Sequence, residues 1–158
     1  MEVQDPRFLC DDHCGRLARW LRFVGFDCRH DQSATDATVL MIAGNEDRII
    51  LTRDHHLAAM VLARQAILLQ SSDPVGQLRE VIDSLSLVID QARVLTRCTM
   101  CNSPITPVAA TDIWDRIPPY VQKTRTEFKT CSVCGRVYWE GTHLTRMVER
   151  LRGIGLPV

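Results

Sequence analysis

The sequence lacks an excess of either charge, because 19 Lys and Arg residues balance 19 Asp and Glu residues. Bulk positive charge therefore does not indicate a nucleic-acid partner, and any such role has to rest on local patches. Long hydrophobic runs are also missing, since the most apolar stretch, LAAMVLARQAILL, is broken by Arg64 and Gln65. No basic segment followed by an apolar one stands at the start. We expect a cytoplasmic protein without a membrane span.

The composition is that of an ordinary globular protein, with 46% hydrophobic and 24% charged residues over 158 positions. This length fits one domain, or a small α/β domain with an appendage. Short apolar strands alternate with helical patterns to about residue 90, which is typical of an α/β fold with a parallel sheet. We expect strands at RFLC, FDCRH, RIILT and AILLQ, and helices at 15–23, 36–44, 53–65 and 71–87.

Four of the seven cysteines form two pairs with two intervening residues, CTMC and CSVC, at Cys98, Cys101, Cys131 and Cys134. A reducing compartment disfavours disulfides, and two such pairs supply the four thiolates of a structural zinc site. Asn102 and Gly135 follow the pairs and tolerate the left-handed backbone that such a turn often needs. We expect a closed zinc site without a catalytic position. A redox or coincidental arrangement is the alternative.

Acidic residues follow three of the expected strands. Asp11 comes after RFLC, Asp54 after RIILT and Asp73 after AILLQ, while Asp36 begins a helix. Ligands of parallel sheets bind beyond the carboxyl ends of the strands, so these carboxylates could converge there. Their oxygens suit Mg²⁺ or Mn²⁺, and two such ions can activate water against a phosphodiester. Helix capping alone would also explain Asp36 and Asp73, the latter followed by a first-turn proline.

Cysteine and histidine surround the first acid. Cys10 and Cys14 fit burial in the first strand and helix, because free cysteine behaves as a small hydrophobic residue. His13, His55 and His56 are interpreted as surface or capping residues. A soft-metal site at Cys10, His13 and Cys14 is the alternative for this segment.

Several stretches, in the same order, resemble the ribonuclease-like domain at the C-terminus of Mut-seven proteins: FLCDDHCGRLARWLR, IILTRD, SSDP, DRIPPYV and FKTCSVCGRVYWEGTH. The resemblance extends from about residue 7 to residue 150. It implies a PIN-like nuclease domain at 1–92, followed at 93–158 by a zinc ribbon with a closing C-terminal helix.

The same resemblance implies metal-dependent hydrolysis of RNA. By matching motif, Asp11, Asp36 and Asp54 carry over as catalytic residues and as ligands of Mg or Mn, and Asp73 carries over as a further catalytic residue. The implied cofactors are thus structural zinc and catalytic magnesium or manganese.

Basic residues are the candidates for holding RNA. Arg16, Arg19 and Arg22 follow the first acid on one helix face, although a solvated face would look the same. Thr52 and Arg53 stand beside Asp54 and could orient a phosphate. His143, in GTH, could contact a phosphate or cap the closing helix.

The expected ribbon interleaves cations with aromatic residues: Lys123, Arg125, Lys129 and Arg136 lie among Tyr120, Phe128, Tyr138 and Trp139. This mixture suits single-stranded RNA, whose bases stack on aromatic rings. A small ribbon also needs aromatic residues for its own core, which is the alternative for Phe128 and Tyr138.

Three functions follow from these patterns. The first is a metal-dependent ribonuclease acting on single-stranded RNA. The second is an RNA-binding module without catalysis, in which loss of the acids would leave binding intact. The third is an adaptor whose zinc ribbon docks a protein partner in a larger machine such as a ribosome or polymerase.

Overall fold

The computed structural model describes residues 5–158, in which a four-stranded parallel sheet is followed by a three-stranded antiparallel sheet. The parallel strands are β1 (Arg7–Cys10), β2 (Cys28–His30), β3 (Arg48–Thr52) and β4 (Ala66–Leu68). Their order is β2-β1-β3-β4, and Leu9 of β1 pairs with Arg29 on one side and Ile50 on the other. The predicted parallel α/β sheet is confirmed.

Helices cover both faces of the parallel sheet. They are α1 (Gly15–Phe23), α2 (Asp36–Glu46), α3 (His55–Ala59) and α4 (Pro74–Ser84), with a 3-10 turn at Asp12–Cys14 before α1. Phe8 and Cys10 point into the core formed with α1 and α4, whereas Leu9 and Ile50 point into the core formed with α2 and α3. Beyond their first residues, the central strands β1 and β3 are mostly apolar on both sides because both faces of the sheet are buried.

The segment between β3 and β4 differs from the prediction, since α3 ends at Ala59 and not near residue 65. Beyond Ala59, Val61 packs partly against the core formed with α2 and α3, but Met60 and Leu62 are 50% and 75% exposed, so a longer helix would have little core to cover. The chain instead turns back at Gln65, whose N–H donates to the carbonyl of Leu62 over 2.8 Å. Arg64 therefore lies in a turn.

Two predicted helix starts have different outcomes. Asp73 caps α4 as expected, with Pro74 as the first helical residue. Asp36 is not the cap of α2, because the hydroxyl of Thr35 accepts the N–H of Thr38 over 3.3 Å and Asp36 is the first helical residue.

The second sheet has the antiparallel order β5-β6-β7, with β5 (Thr106–Val108), β6 (Phe128–Thr130) and β7 (Val137–Trp139). A short helix α5 (Pro119–Thr124) precedes β6. The hydrophobic core of this second part of the molecule consists of Ile113, Ile117, Val121 and Phe128. Phe128 is thus a core residue. The closing helix α6 (Thr142–Gly153) returns to the parallel sheet, where Leu151 and Leu156 enter the same core as α1 and α4. The boundary at residues 92 and 93 stays a prediction.

Arg22 joins the two parts of the molecule. This buried guanidinium donates to the carbonyl of Cys28 in β2 over 2.7 Å and to that of Met100 over 2.8 Å. Its predicted place on an exposed basic face is wrong, because its three hydrogen bonds all go to main-chain carbonyls inside the interface. Within residues 5–158, no helix combines the length and apolar character needed to cross a membrane.

Candidate active site and metal centre

The connections of the parallel sheet diverge between β1 and β3. The chain leaves β1 for β2 on one side and then crosses to β3 on the other. The carboxyl ends of two such strands bound a crevice, the usual binding position of open α/β sheets. Asp11 directly follows β1, and its N–H donates to the carbonyl of Leu51 over 3.1 Å. The acids after β1 and β3 therefore lie beside this crevice.

Thr52, the last residue of β3, links the two acids. Its side chain is fully buried, and its hydroxyl donates to Oδ2 of Asp11. The same hydroxyl accepts the N–H of Asp54 over 2.9 Å. Thr52 therefore fixes the carboxylate of Asp11 and the backbone of Asp54. Its hydroxyl is engaged in both contacts and is not available to orient a phosphate, the role expected from the sequence. The tripeptide TRD, residues 52–54, was the sequence signal for this part of the site. The contact between Thr52 and Asp11 could not be predicted from it, because that contact depends on the register in which β1 and β3 pair.

Asp11 is a buried carboxylate, 6% exposed. Besides the bond from Thr52, its Oδ1 accepts the N–H of His13 over 3.1 Å. Both donors are neutral, and Asp11 forms no ion pair within residues 5–158. Buried charges in proteins are usually paired or bound to a metal, so this carboxylate is suited to receive a cation.

Asp54 is exposed and caps α3. Its Oδ1 accepts the N–H groups of His56 over 2.7 Å and Leu57 over 3.3 Å. These backbone donors hold the pKa of Asp54 below its ordinary value, because they favour the charged carboxylate. The acid is therefore ionised at neutral pH, and its Oδ2 has no hydrogen-bond partner in the described part of the chain.

The cysteines beside Asp11 are buried, as expected for packing residues. Burial raises the pKa of Cys14, and the neighbouring Asp11 carboxylate raises it further, while Arg53 opposes the shift. Burial also raises the pKa of Cys10, whose sulfur lies 3.5 Å from that of Cys28. Neutral thiols are poor metal ligands. Cys10, His13 and Cys14 do not form a metal-sized cluster among residues 5–158.

Asp36 and Asp73 are placed differently from Asp11 and Asp54. Asp36 is exposed in the first turn of α2. The carboxylate of Asp73 accepts the N–H groups of Val75 and Gly76 over 3.0 Å each, and it pairs with Arg150 over 2.6 Å. These contacts favour a structural role for Asp73.

The four predicted zinc ligands do meet. Cys98, Cys101, Cys131 and Cys134 place their sulfur atoms within 4.8 Å of one another, and they form the one such metal-sized group of His, Cys, Asp and Glu in residues 5–158. The Asp11, Asp36 and Asp54 carboxylates do not form a second group of this size.

Both cysteine pairs use the same turn. Asn102 and Gly135 have φ of 70° and 72°, the left-handed backbone that the sequence indicated. The N–H of Asn102 donates to the carbonyl of Cys98, and the N–H of Gly135 to that of Cys131, over 2.9 Å each. These two equivalent turns direct the thiols towards a common centre.

The sulfur distances suit zinc. Cys98 and Cys134 are 3.5 Å apart and Cys101 and Cys131 are 3.3 Å apart, close to the roughly 3.8 Å between the corners of a tetrahedron with Zn–S bonds of about 2.3 Å. Burial raises the pKa of Cys101, but hydrogen bonds from Ser103 and the nearby thiols outweigh it and lower the value to about 6. The backbone N–H of Arg136 lowers the pKa of Cys134, but burial and the other three thiols outweigh it and raise the value to about 12. The donor set can therefore hold a zinc ion with no open position.

The predicted RNA contacts fall in two places. Arg16 and Arg53 are exposed near the ends of β1 and β3, while Arg19 and His143 line a cleft between α1 and the second sheet. His143 does not cap α6, because the cap position is Gly141. Lys129 donates to the carbonyl of Leu95 over 3.0 Å, and the hydroxyl of Tyr138 donates to the sulfur of Cys98 over 3.0 Å.

The protein combines a parallel α/β sheet, with acids after β1 and β3 beside its switch point, with a following part that carries four clustered cysteines. The chain belongs to the Mut7-C RNAse domain family, whose family model matches residues 6–151. This match confirms the resemblance seen in the sequence and indicates a nuclease-like role. No curated protein and no solved structure gives a match.

Proposed function

We propose that the chain is a ribonuclease that hydrolyses RNA phosphodiester bonds with Mg or Mn held by Asp11, Asp36 and Asp54. The observation that carries the proposal is the hydroxyl of Thr52, which donates to the carboxylate of Asp11 and accepts the backbone N–H of Asp54 at the switch point. Membership of an RNAse domain family supports the reaction class.

The acids fit a hard divalent cation. Carboxylate oxygens are the preferred ligands of Mg²⁺ and Mn²⁺. Asp11 is buried with neutral hydrogen-bond donors only, and Asp54 keeps one oxygen free of partners in the described chain. Asp36 would have to approach from the start of α2, where its side chain is exposed. Asp73 is left out of the ligand set, because its carboxylate caps α4 and pairs with Arg150.

The protein's own residues supply the rest of the mechanism. When bound, the metal would lower the pKa of a water and stabilise the leaving oxygen. Thr52 keeps Asp11 in one orientation, so the carboxylate needs no rearrangement to bind the cation. The capped Asp54 stays negative. Arg16 and Arg53 are exposed close to these acids and are suited to contact the phosphates of the substrate.

The zinc ribbon has a supporting role in this proposal, by contacting RNA or a protein partner. Trp114 and Val133 are large apolar side chains that remain exposed on the ribbon, which keeps the adaptor function as a second candidate. A non-catalytic RNA-binding module is the third. The two alternatives share the expectation that loss of the acids leaves the binding of the partner intact.

The decisive experiment is a Mn²⁺ titration of the zinc-loaded protein with a labelled single-stranded RNA pool. We expect manganese-dependent cleavage that is lost in Asp11→Asn and in Asp54→Asn. Asp73→Asn is the matched control, because asparagine also caps a helix and should leave cleavage in place. Absence of cleavage and of manganese binding in the unmodified protein would favour the binding and adaptor alternatives.

A further inference from the structure

The cleft lined by Arg19 and His143 has a volume of about 530 Å³ and lies between α1, the ribbon and the start of α6. We propose that this cleft, here called the cationic cleft, binds the single-stranded RNA that flanks the cleaved bond. Its lining includes the basic residues Arg19, Arg125, Arg136 and His143 and the aromatic residues Tyr120 and Trp139. The proposal rests on the proposed function for the identity of the ligand, but the site itself lies outside the acidic crevice.

Charge is the first argument for a polyanionic ligand. The cationic cleft is lined by three arginines and a histidine, and no Asp or Glu lines it. Arg19, Arg125 and Arg136 are exposed, and none of them pairs with an acid within residues 5–158. A chain with no net charge has therefore concentrated positive charge here. Phosphates are the groups that such a patch attracts.

A neighbouring cleft provides an internal comparison. It is larger, about 920 Å³, and shares Trp139 and Tyr138 with the cationic cleft. Its charged lining consists of Glu127 and Glu140 against Lys129 and Arg152, so the charges cancel. Unbalanced positive charge therefore distinguishes the cationic cleft from the larger neighbouring one.

Aromatic exposure is the second argument. Tyr120 is 72% exposed at the start of α5, although Val121 beside it enters the ribbon core. The ring of Tyr120 is therefore not needed for packing and stands at the cationic cleft together with the half-buried Trp139. Bases of single-stranded RNA stack on such rings, and the neighbouring arginines hold the backbone.

Continuity with the acids is the third argument. Helix α1 begins just after Asp11, and Arg19 lies about 6 Å along the helix axis from its first residue, Gly15. Arg16 precedes Arg19 by three residues, so the two side chains are neighbours on one helix face. A single strand of RNA that passes the acids and runs along α1 would thus meet Arg16, then Arg19, and then the cationic cleft. A free anion or a protein would not account for this alignment.

The test measures binding without cleavage. Fluorescence anisotropy with a labelled oligouridylate of about 12 nucleotides is recorded on the zinc-loaded full chain carrying Asp11→Asn. Into this parent we introduce Arg125→Gln with Arg136→Gln. The matched control is Arg7→Gln with Arg64→Gln, which removes the same charge from exposed arginines that do not line the cationic cleft.

We expect the cationic-cleft double variant to bind about tenfold more weakly. The slope of log K against log salt should fall by about 1.4, the value for two lost phosphate contacts on a single strand. The control double variant should match the parent. Tyr120→Ala should weaken binding about five- to 150-fold, whereas Tyr120→Phe keeps the ring and should bind normally.

Three results would overturn the proposal: no RNA binding by the parent, an unchanged affinity of the cationic-cleft variant, or an equal loss in the control. Tighter binding of the matching DNA than of the RNA would reject RNA as the occupant. Failure of the proposed function gives a different result, namely no Mn²⁺-dependent cleavage by the chain with Asp11 intact, whatever the affinities.

Discussion

Replacement of Thr52 by valine tests the link between the acids. Valine has nearly the same shape but no hydroxyl, so it removes the bond to Asp11 and the acceptor for the N–H of Asp54. A hydrogen bond to a charged group contributes about 1.5–3 kcal/mol and a neutral one about 1 kcal/mol. Because Thr52 is fully buried, water cannot replace the bond to Asp11. We expect the free energy of unfolding to fall by about 2–4 kcal/mol.

The assay is urea unfolding at a fixed excess of zinc, since metal binding itself changes apparent stability. With an m-value of about 2 kcal/mol/M, the midpoint should fall by roughly 1–2 M. The half-saturating Mn²⁺ concentration for RNA cleavage should rise, because the carboxylate of Asp11 is no longer held in one orientation. Thr52→Ser retains the hydroxyl and is the control for both measurements. Unchanged midpoint and unchanged Mn²⁺ dependence in the valine variant would refute the assigned role of Thr52.

Three further predictions concern the support of the site. Arg22→Met should lower the free energy of unfolding by about 2–4 kcal/mol, because it leaves buried carbonyls without donors; urea midpoints check this, and an unaltered midpoint would contradict it. Cys131→Ser should abolish stoichiometric zinc, measured by metal analysis of the purified protein, and should lower its melting temperature; full zinc content in this variant would exclude the four-sulfur site. Burial raises the pKa of Asp27, but hydrogen bonds from Arg48 and Asn102 outweigh it and hold the pKa below its ordinary value. This stabilisation is present above about pH 4 and is lost as the pH falls through the lower folded value, so Asp27→Asn should flatten the acid side of a stability–pH curve; an identical curve would reject it.

Local features were predictable from the sequence. The left-handed turns at Asn102 and Gly135 and the cap at Asp73 depend on residues within a few positions of one another. The strand RIILT and the helix at 15–23 likewise have the bounds that their hydrophobic patterns indicated. Such elements could be predicted because their main determinants, turn chemistry and hydrophobic period, are local.

The remaining features depend on tertiary contacts. The helix after Asp54 continues in the sequence pattern as far as residue 65, but it ends at Ala59 because nothing packs over Met60 and Leu62. Arg22 has the spacing of an exposed basic face, yet the ribbon covers it. The bond between Thr52 and Asp11 joins residues 41 positions apart and required the register of β1 and β3.

The zinc ribbon supports the parallel sheet next to Asp11 through hydrogen bonds between the first cysteine turn and the segment around β2. The first cysteine turn supplies the carbonyl of Met100 to Arg22, which also holds Cys28 in β2. The side chain of Asn102, in the same turn, accepts the N–H of Cys28 over 3.0 Å and donates to Asp27 over 2.8 Å. Strand β2 pairs directly with β1, after which Asp11 lies. Loss of a metal from the four cysteines would loosen the turn that supplies these acceptors to a buried guanidinium, so we expect the ribbon to support the sheet that positions Asp11.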